Sequence, residues 1–349
     1  MFFASDNWAG AHPAIAARLS DTATGFSVAY GDGDLDKAVE EKFSEIFERD
    51  VAVFFVATGT AANALSLTLY GKPGGISFCH QQAHVIEDEC GAIEYLSGGG
   101  RLHGLGGALG RIDPDRLDHA LDKHVPEFVH AGRPTTVSIT QSTEIGTVYS
   151  LEDIATISTI TKKHSLPLHM DGARFANALV ALETTPAEMT WKRGVDIVSF
   201  GGTKNGCWCA EAIVLFDADL ARELSFLRKR AGQLFSKSRF IAAQFDAYFE
   251  NDLWLENARH SNAMARRLAD MIKAAPNARL GWEPQANEVF AVLSRQQADA
   301  LQEAGAAFYD WPVPEDFSKP LGKDEQLYRF VTSFATTAGD IERFATLLG

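Results

Sequence analysis

The sequence predicts an α/β protein in two parts. The larger part is a mostly parallel sheet with helices on both faces, over residues 1–240 with an N-terminal arm. The smaller is an α+β domain over residues 241–349. Two observations predict this. Up to about residue 235, short apolar runs rich in β-branched and aromatic residues alternate with amphipathic stretches, the pattern of strand–helix–strand crossovers. From residue 217 the pattern changes: long helical stretches run to about 275, and short strands alternate with helices after that. A length of 349 residues fits two units at ~150 residues per domain.

The elements follow in order. Asp34 can cap a helix whose apolar residues Leu35, Val39, Phe43 and Phe47 recur every fourth position, a core-facing stripe. Residues 51–56 are apolar, β-branched and aromatic, a buried strand. Thr58-Gly59-Thr60 then opens a helix over 61–70, with Thr60 as a candidate cap. Strands are expected at 75–79, 135–140, 166–170, 196–200 and 212–216, and helical segments at 87–96 and 114–124. Ser150 with Asp153 resembles a capping box. In the last third, strands are expected at 288–293, 308–311 and 328–334.

Composition narrows the function classes. Hydrophobic residues are 46% and charged residues 22%, ordinary for a packed globular chain. The net charge of −14, and a densest basic run of only Arg228-Lys229-Arg230, argue against nucleic acid or an anionic lipid surface as partner. No apolar run approaches the ~18 residues of a membrane span, and the N-terminal stretch lacks the pattern of a secretory signal. Four cysteines, oddly spaced, do not make a disulfide framework. A cytoplasmic location is expected.

In an open parallel sheet, ligands gather at the carboxyl ends of the strands. After the strand at 51–56, Thr58-Gly59-Thr60 offers free N–H groups at a helix start, which suit a phosphate. After the strand at 166–170 comes Asp171-Gly172-Ala173-Arg174, and after that at 196–200 comes Gly201-Gly202-Thr203-Lys204-Asn205-Gly206. Alone, each is a turn glycine, a capping aspartate or a solvated lysine. Together they are what pyridoxal phosphate needs: a lysine for a Schiff base, a carboxylate to keep the pyridine nitrogen protonated, and a phosphate cradle.

The motifs Tyr30-Gly31-Asp32, residues 57–63 (Ala-Thr-Gly-Thr-Ala-Ala-Asn), residues 168–174 and residues 199–206 lie in order along the chain. With Ser5-Asp6-Asn7 and Tyr328-Arg329-Phe330 at the extremes, the chain resembles the low-specificity L-threonine aldolases, in the β-eliminating lyase branch of the fold-type I pyridoxal-phosphate enzymes. The resemblance implies an aspartate aminotransferase-like large domain. It implies retro-aldol cleavage of β-hydroxy-α-amino acids to glycine and an aldehyde. By this resemblance Lys204 is the Schiff-base lysine and Asp171 the pyridinium partner. Gly59 and Thr60 cradle the phosphate, and Lys229 reaches a neighbouring subunit's phosphate. His84 stacks on the cofactor ring, and His130 lies near the substrate's β-hydroxyl. Ser5, Arg174 and Arg329 hold the substrate carboxylate or the cofactor's oxygen. The base is His84, or a water held by His84 and His130. A homodimer or homotetramer with shared active sites is implied, with a small-molecule substrate; the residues themselves supply no metal-ligand set, and whether a cation binds is left open.

Two positions depart from the family pattern: Asn7 follows Ser5-Asp6 where threonine is commoner, and residues 141–144 (Gln-Ser-Thr-Glu) replace Glu-Asn-Thr-His. Both bear on substrate preference, so a phenylserine-preferring aldolase or a β-eliminating lyase remains the alternative. A non-enzymatic protein of the same fold conflicts with the presence of Lys204, Asp171 and both arginines. Cys79, His80, His84, Glu87 and Cys90 fit no standard zinc spacing. Cys207 and Cys209 fit no Cys-x-x-Cys pair and read as packed thiols. Residues 104–110 superficially resemble a dinucleotide loop but follow no evident strand, and read as a flexible surface loop. His169 shares a strand face with Asp171, where it either supports the aspartate or packs.

Overall fold

The computed structural model describes residues 1–124, 128–315 and 317–349. Its larger sheet is built from β1 (Ala52–Val56), β2 (Gly75–His80), β3 (Arg101–Leu105), β4 (Arg133–Thr140), β5 (Leu168–Gly172), β6 (Ile197–Gly201) and β7 (Glu211–Leu215). The spatial order is β1-β7-β6-β5-β4-β2-β3. Strands β3, β2, β4, β5 and β6 pair in parallel, and β7 runs against both β6 and β1. Parallel neighbours need crossovers, and helices supply them. They cover both faces, so the inner strands are buried along their whole length.

The smaller sheet is antiparallel, with β8 (Arg279–Leu280), β9 (Glu288–Ser294), β10 (Tyr309–Asp310) and β11 (Glu325–Val331) in the order β10-β11-β9-β8. Its core is aromatic: Phe3, Phe308, Phe330 and Phe344 meet at ring separations of 4.6–6.4 Å. Phe3 comes from the N-terminal arm, whose backbone bonds Ala307 and Val331 at 2.8 Å each. The arm, grouped with the large part by sequence, thus packs on the small sheet. Residues 241–258, grouped with the small part, pack in the large core beside Phe43 and Phe200. Helix Arg239–Phe249 straddles the expected boundary.

Several element ends differ from expectation. Asp171 and Gly172 lie inside β5 rather than after it. When both faces of a strand are buried, an apolar run does not mark its end. Asp34 is the first helical residue of Asp34–Ile46, with Gly33 at the cap, and Thr58 rather than Thr60 caps Gly59–Tyr70. Part of the glycine-rich stretch at 104–110 is edge strand β3, not surface loop. Gly104 allows close approach there: an added Cβ would lie 3.0 Å from the Gln81 Cα, tighter than nearly all real contacts. The helical stretch at 87–96 is split in two, His84–Glu87 and Ala92–Leu96, by left-handed Cys90 (φ 52°) and Gly91 (φ 72°). The capping box of Ser150 and Asp153 is present.

This topology sets the site. The carboxyl ends of β1, β2, β4, β5 and β6 share one edge of the sheet. Because β7 is reversed, its first residue, Glu211, lands on that edge opposite Val56 and Gly201.

Candidate active site

Two adjoining cavities open on that edge. One, of about 290 Å³, is walled by residues 57–60, Asn63, Asp171, Ala173, Thr203 and Glu211. The other, of about 760 Å³, lies between Ser5, Gln81, Glu144, Arg174, Trp311 and Arg329. Asn7, His84 and Lys204 line both, so these three mark the junction.

The smaller cavity begins at the helix Gly59–Tyr70. The Thr58 hydroxyl accepts the Ala61 N–H at 3.1 Å, which leaves the Gly59 and Thr60 N–H groups at the opening turn. A Cβ at Gly59 would meet no protein atom within 4 Å, so glycine keeps space open there. Lys204 sits on a one-turn 3₁₀ helix after β6. Its neighbour Asn205 is locked by bonds to the Tyr248 hydroxyl (2.7 Å) and the Trp254 carbonyl (2.8 Å), which fix the turn that carries the lysine.

Asp171 is buried, and burial pushes its carboxyl up. It accepts the Ala173 N–H at 3.0 Å and the Asn63 amide at 2.9 Å. The same Asn63 nitrogen donates to Glu89 at 2.8 Å, and Glu89 lies 3.0 Å from His84 Nδ1. That contact with Glu89 pushes the His84 imidazole up, against its partial burial. Glu211 is buried and its carboxyl rises to about 7.

The two arginines differ. Arg174 is buried and gripped by Asp6 through two bonds, Nε at 2.8 Å and an Nη at 3.1 Å, with Glu288 3.4 Å away. Burial opposes the charge of Asp6, but Arg174 and Lys204 outweigh it and hold the Asp6 carboxyl low. Arg329 faces the larger cavity, lies 4.1 Å over the Trp311 ring and 3.8 Å from Glu288, and its buried Nε has no hydrogen-bond partner among the described residues. Burial raises Glu288 to about 7 despite both arginines.

The structure thus brings together Ser5, Gly59, Thr60, His84, Asp171, Arg174, Lys204 and Arg329. It does not bring His130 or Lys229 to these cavities within one chain. His130 is exposed just before β4 begins, at the amino end of a strand whose carboxyl end borders the site. Eight residues at ~3.3 Å each put it about 25 Å away. Lys229 is exposed, 5.4 Å over the Tyr30 ring. His169 packs rather than supporting Asp171: its ring bonds Ser138 at 2.8 Å and Ser199 at 2.9 Å. Among the described residues, Asp118, Asp122 and His164 form a group of possible metal ligands, but the Lys163 ammonium already bridges both aspartates at 2.7 and 3.3 Å. Sequence reasoning missed Asp6, Asn63, Glu89, Glu211 and Glu288 as site residues. Asp6 and Asn63 lay within recognised motifs, while Glu89, Glu211 and Glu288 carried no local signal.

The comparisons with known proteins agree with this architecture. The family described as beta-eliminating lyase matches residues 3–296. The chain belongs to the beta-eliminating lyase family. It is 41% identical over 308 residues to a low specificity L-threonine aldolase of Pseudomonas aeruginosa, covering 88% of each chain. It is 39% identical to another from a Pseudomonas species, again over 88% of each. The solved structure of a Leishmania major threonine aldolase superposes with a TM-score of 0.91 at 28% identity, covering 99% of this chain and 98% of that one. The fold is the fold-type I α/β architecture of this family, with its small second sheet.

The residues present fit pyridoxal phosphate. A buried carboxyl that accepts hydrogen bonds from Asn63 and the Ala173 N–H, a lysine on a turn fixed through Asn205, and a helix start kept open by glycine line one cavity. These supply what the cofactor's ring nitrogen, aldehyde and phosphate each require.

Proposed function

We propose that the protein is a pyridoxal-phosphate-dependent aldolase, a carbon–carbon lyase. It cleaves L-threonine, L-allo-threonine and related β-hydroxy-α-amino acids by retro-aldol reaction to glycine and an aldehyde. The observation that carries this is the junction. Lys204 and His84 stand between a cavity walled by Asp171 and the Gly59–Thr60 turn and a larger one that ends at Arg329.

When bound, the cofactor supplies an electron sink for the pair released as the Cα–Cβ bond breaks. Lys204 would hold it through Nζ, Asp171 at the ring nitrogen, and the Gly59 and Thr60 N–H groups at the phosphate. Burial pushes the Asp171 carboxyl up, while its two donors, Asn63 and the Ala173 N–H, favour the charged form that a protonated ring nitrogen would pair with. Arg329 takes the substrate carboxylate. Its fork matches a carboxylate bidentately, and it lines the larger cavity with Glu288 no nearer than 3.8 Å. Arg174, already gripped by Asp6 and beside Glu288, fixes the arm and the small sheet against the site. His84, or a water it holds, accepts the β-hydroxyl proton. The larger cavity leaves room for the aldehyde fragment between Gln81, Glu144 and Trp311.

A shared-site homodimer or homotetramer in the cytoplasm belongs to the same reading. Phe26, Val28 and Tyr30 are exposed in one stretch. That stretch connects to the smaller cavity: Tyr30 bonds the Ser236 carbonyl, and Gln233 bonds Ala57 at 3.2 Å. All four thiols are unpaired, and no helix among the described residues is long and apolar enough to cross a membrane. Light scattering of the holoenzyme checks the assembly.

The deciding experiment is aldehyde release from L-threonine, L-allo-threonine and L-phenylserine. Acetaldehyde or benzaldehyde with stoichiometric glycine supports the aldolase and ranks its substrates. Pyruvate from serine or cysteine with no aldehyde replaces it by the β-eliminating lyase.

A further inference from the structure

We propose that Glu89 and Asn63 are positioning residues that lock His84 in one tautomer, with the proton on Nδ1, and present its Nε2 as the acceptor at the junction of the two cavities. The inference deepens the aldolase reading and rests on it for the role of His84. Its geometry stands alone.

The argument is one of donors and acceptors. Four buried or half-buried side chains form a continuous chain: Asp171 to Asn63 at 2.9 Å, Asn63 to Glu89 at 2.8 Å, Glu89 to His84 at 3.0 Å. An ionised carboxylate only accepts. The amide nitrogen of Asn63 therefore faces both Asp171 and Glu89, one N–H to each, and its orientation is fixed. Burial pushes the Glu89 carboxyl up, against the pull of its contacts with His84 and Asn63; with Glu89 ionised and Oε1 accepting from Asn63, the proton between Glu89 and His84 belongs to the imidazole. A neutral ring protonated on Nδ1 carries its lone pair on Nε2.

Three further observations point the same way. The Glu89 side chain has no exposed surface, while that of His84 is 30% exposed at the junction, so the carboxylate is the fixed partner. Glu89 Oε2 and Asn63 Oδ1 are buried without a hydrogen bond. Neither residue serves a second hydrogen-bonded contact through those atoms, although an unmade bond to a buried acceptor has a cost. Glu89 also occupies the turn where left-handed Cys90 and Gly91 break the helix. A continuous helix over 84–96 would turn residue 89 well over a full revolution from 84 and separate the pair. The break brings them together. The charged groups acting on His84 are Glu89, Glu144, Lys204 and Asp171, with Glu89 the largest influence.

The test uses the holoenzyme with ¹⁵N-labelled histidine, and Glu89→Gln and Glu89→Asp alongside. In the wild type, the His84 ring nitrogens report a single Nδ1-protonated tautomer above the titration midpoint. In Glu89→Gln the midpoint falls and the tautomer pattern becomes mixed. Glu89→Asp restores the charge and moves the midpoint back toward wild type. In aldehyde release from L-threonine, Glu89→Gln lowers kcat about ten- to a hundredfold with KM changed by less than about twofold. The acid limb of its pH profile moves to lower pH. An unchanged tautomer and midpoint in Glu89→Gln overturns the proposal, as does a change in KM alone. If the wild type releases no aldehyde, the aldolase reading fails, and the nitrogen spectra still decide whether Glu89 fixes the ring.

Discussion

His169 and Asp171 lie two residues apart on one face of β5, both buried, and they behave in opposite ways. His169 is saturated: both ring nitrogens bond serine hydroxyls, and burial drives its imidazole down to about 3, so it stays neutral. Asp171 is a carboxylate whose protein partners are donors only, one amide side chain and one backbone N–H. Around it Asn63 Oδ1 and Glu89 Oε2 lack partners. A buried polar group whose bonds are all made is part of the framework. One left with charge and spare capacity at a cavity wall is set for a ligand.

Breaking that contrast should give graded effects. Lys204→Ala, at the cavity itself, is expected to abolish aldehyde release, by roughly 10³-fold or more, and to abolish the cofactor's visible absorbance. Asp171→Asn should retain the cofactor but lower kcat by about 10²–10³-fold, read by the same assay with cofactor content measured. Arg329→Lys should raise KM for L-threonine about ten- to a hundredfold, because a bidentate charged contact is lost. His169→Ala should leave kcat within about twofold yet lower stability by about 2–4 kcal/mol, through a cavity and two orphaned serines. Denaturant unfolding separates that last outcome from the first three. A large kcat loss in His169→Ala would collapse the distinction.

The smallest effect concerns pH. Glu288 rises in the fold from an ordinary carboxylate value to about 7 because it is buried. The folded state therefore holds its proton more tightly, and the stability this gives is present in full below the unfolded pKa. It is lost as pH rises through the folded value. Unfolding free energy should fall by about 1–3 kcal/mol between pH 5 and 8 on this account, and Glu288→Gln should flatten that slope. Glu211 acts with the same sign.

The sequence made the alternation of strands and helices legible, because β-branched runs and capping residues are local signals. It also marked Lys204, Asp171 and the Gly59–Thr60 turn, since each follows or ends a strand on one sheet edge. It did not mark Glu89, whose place depends on a left-handed kink at Cys90, a residue with no visible turn preference. Nor did it mark Glu211, which reaches the edge only because β7 is reversed, or Glu288, which arrives from the second sheet. The position of His130 depends on which end of β4 it adjoins, and motif matching is blind to strand direction.

The reversal of β7 also places Lys204 in the loop of a hairpin rather than in a long crossover. Only residues 202–210 join β6 to β7, and Gly202 already bonds the Ala210 carbonyl at 3.0 Å. The lysine and the buried acid Glu211 are therefore geared to each other: an insertion in this span would displace both at once, whereas substitution at fixed length would not. Trp208 within this span is 65% exposed, so its side chain contributes little to packing within the chain. Loop length, more than side-chain identity at such exposed positions, is what keeps the lysine and the acid in register.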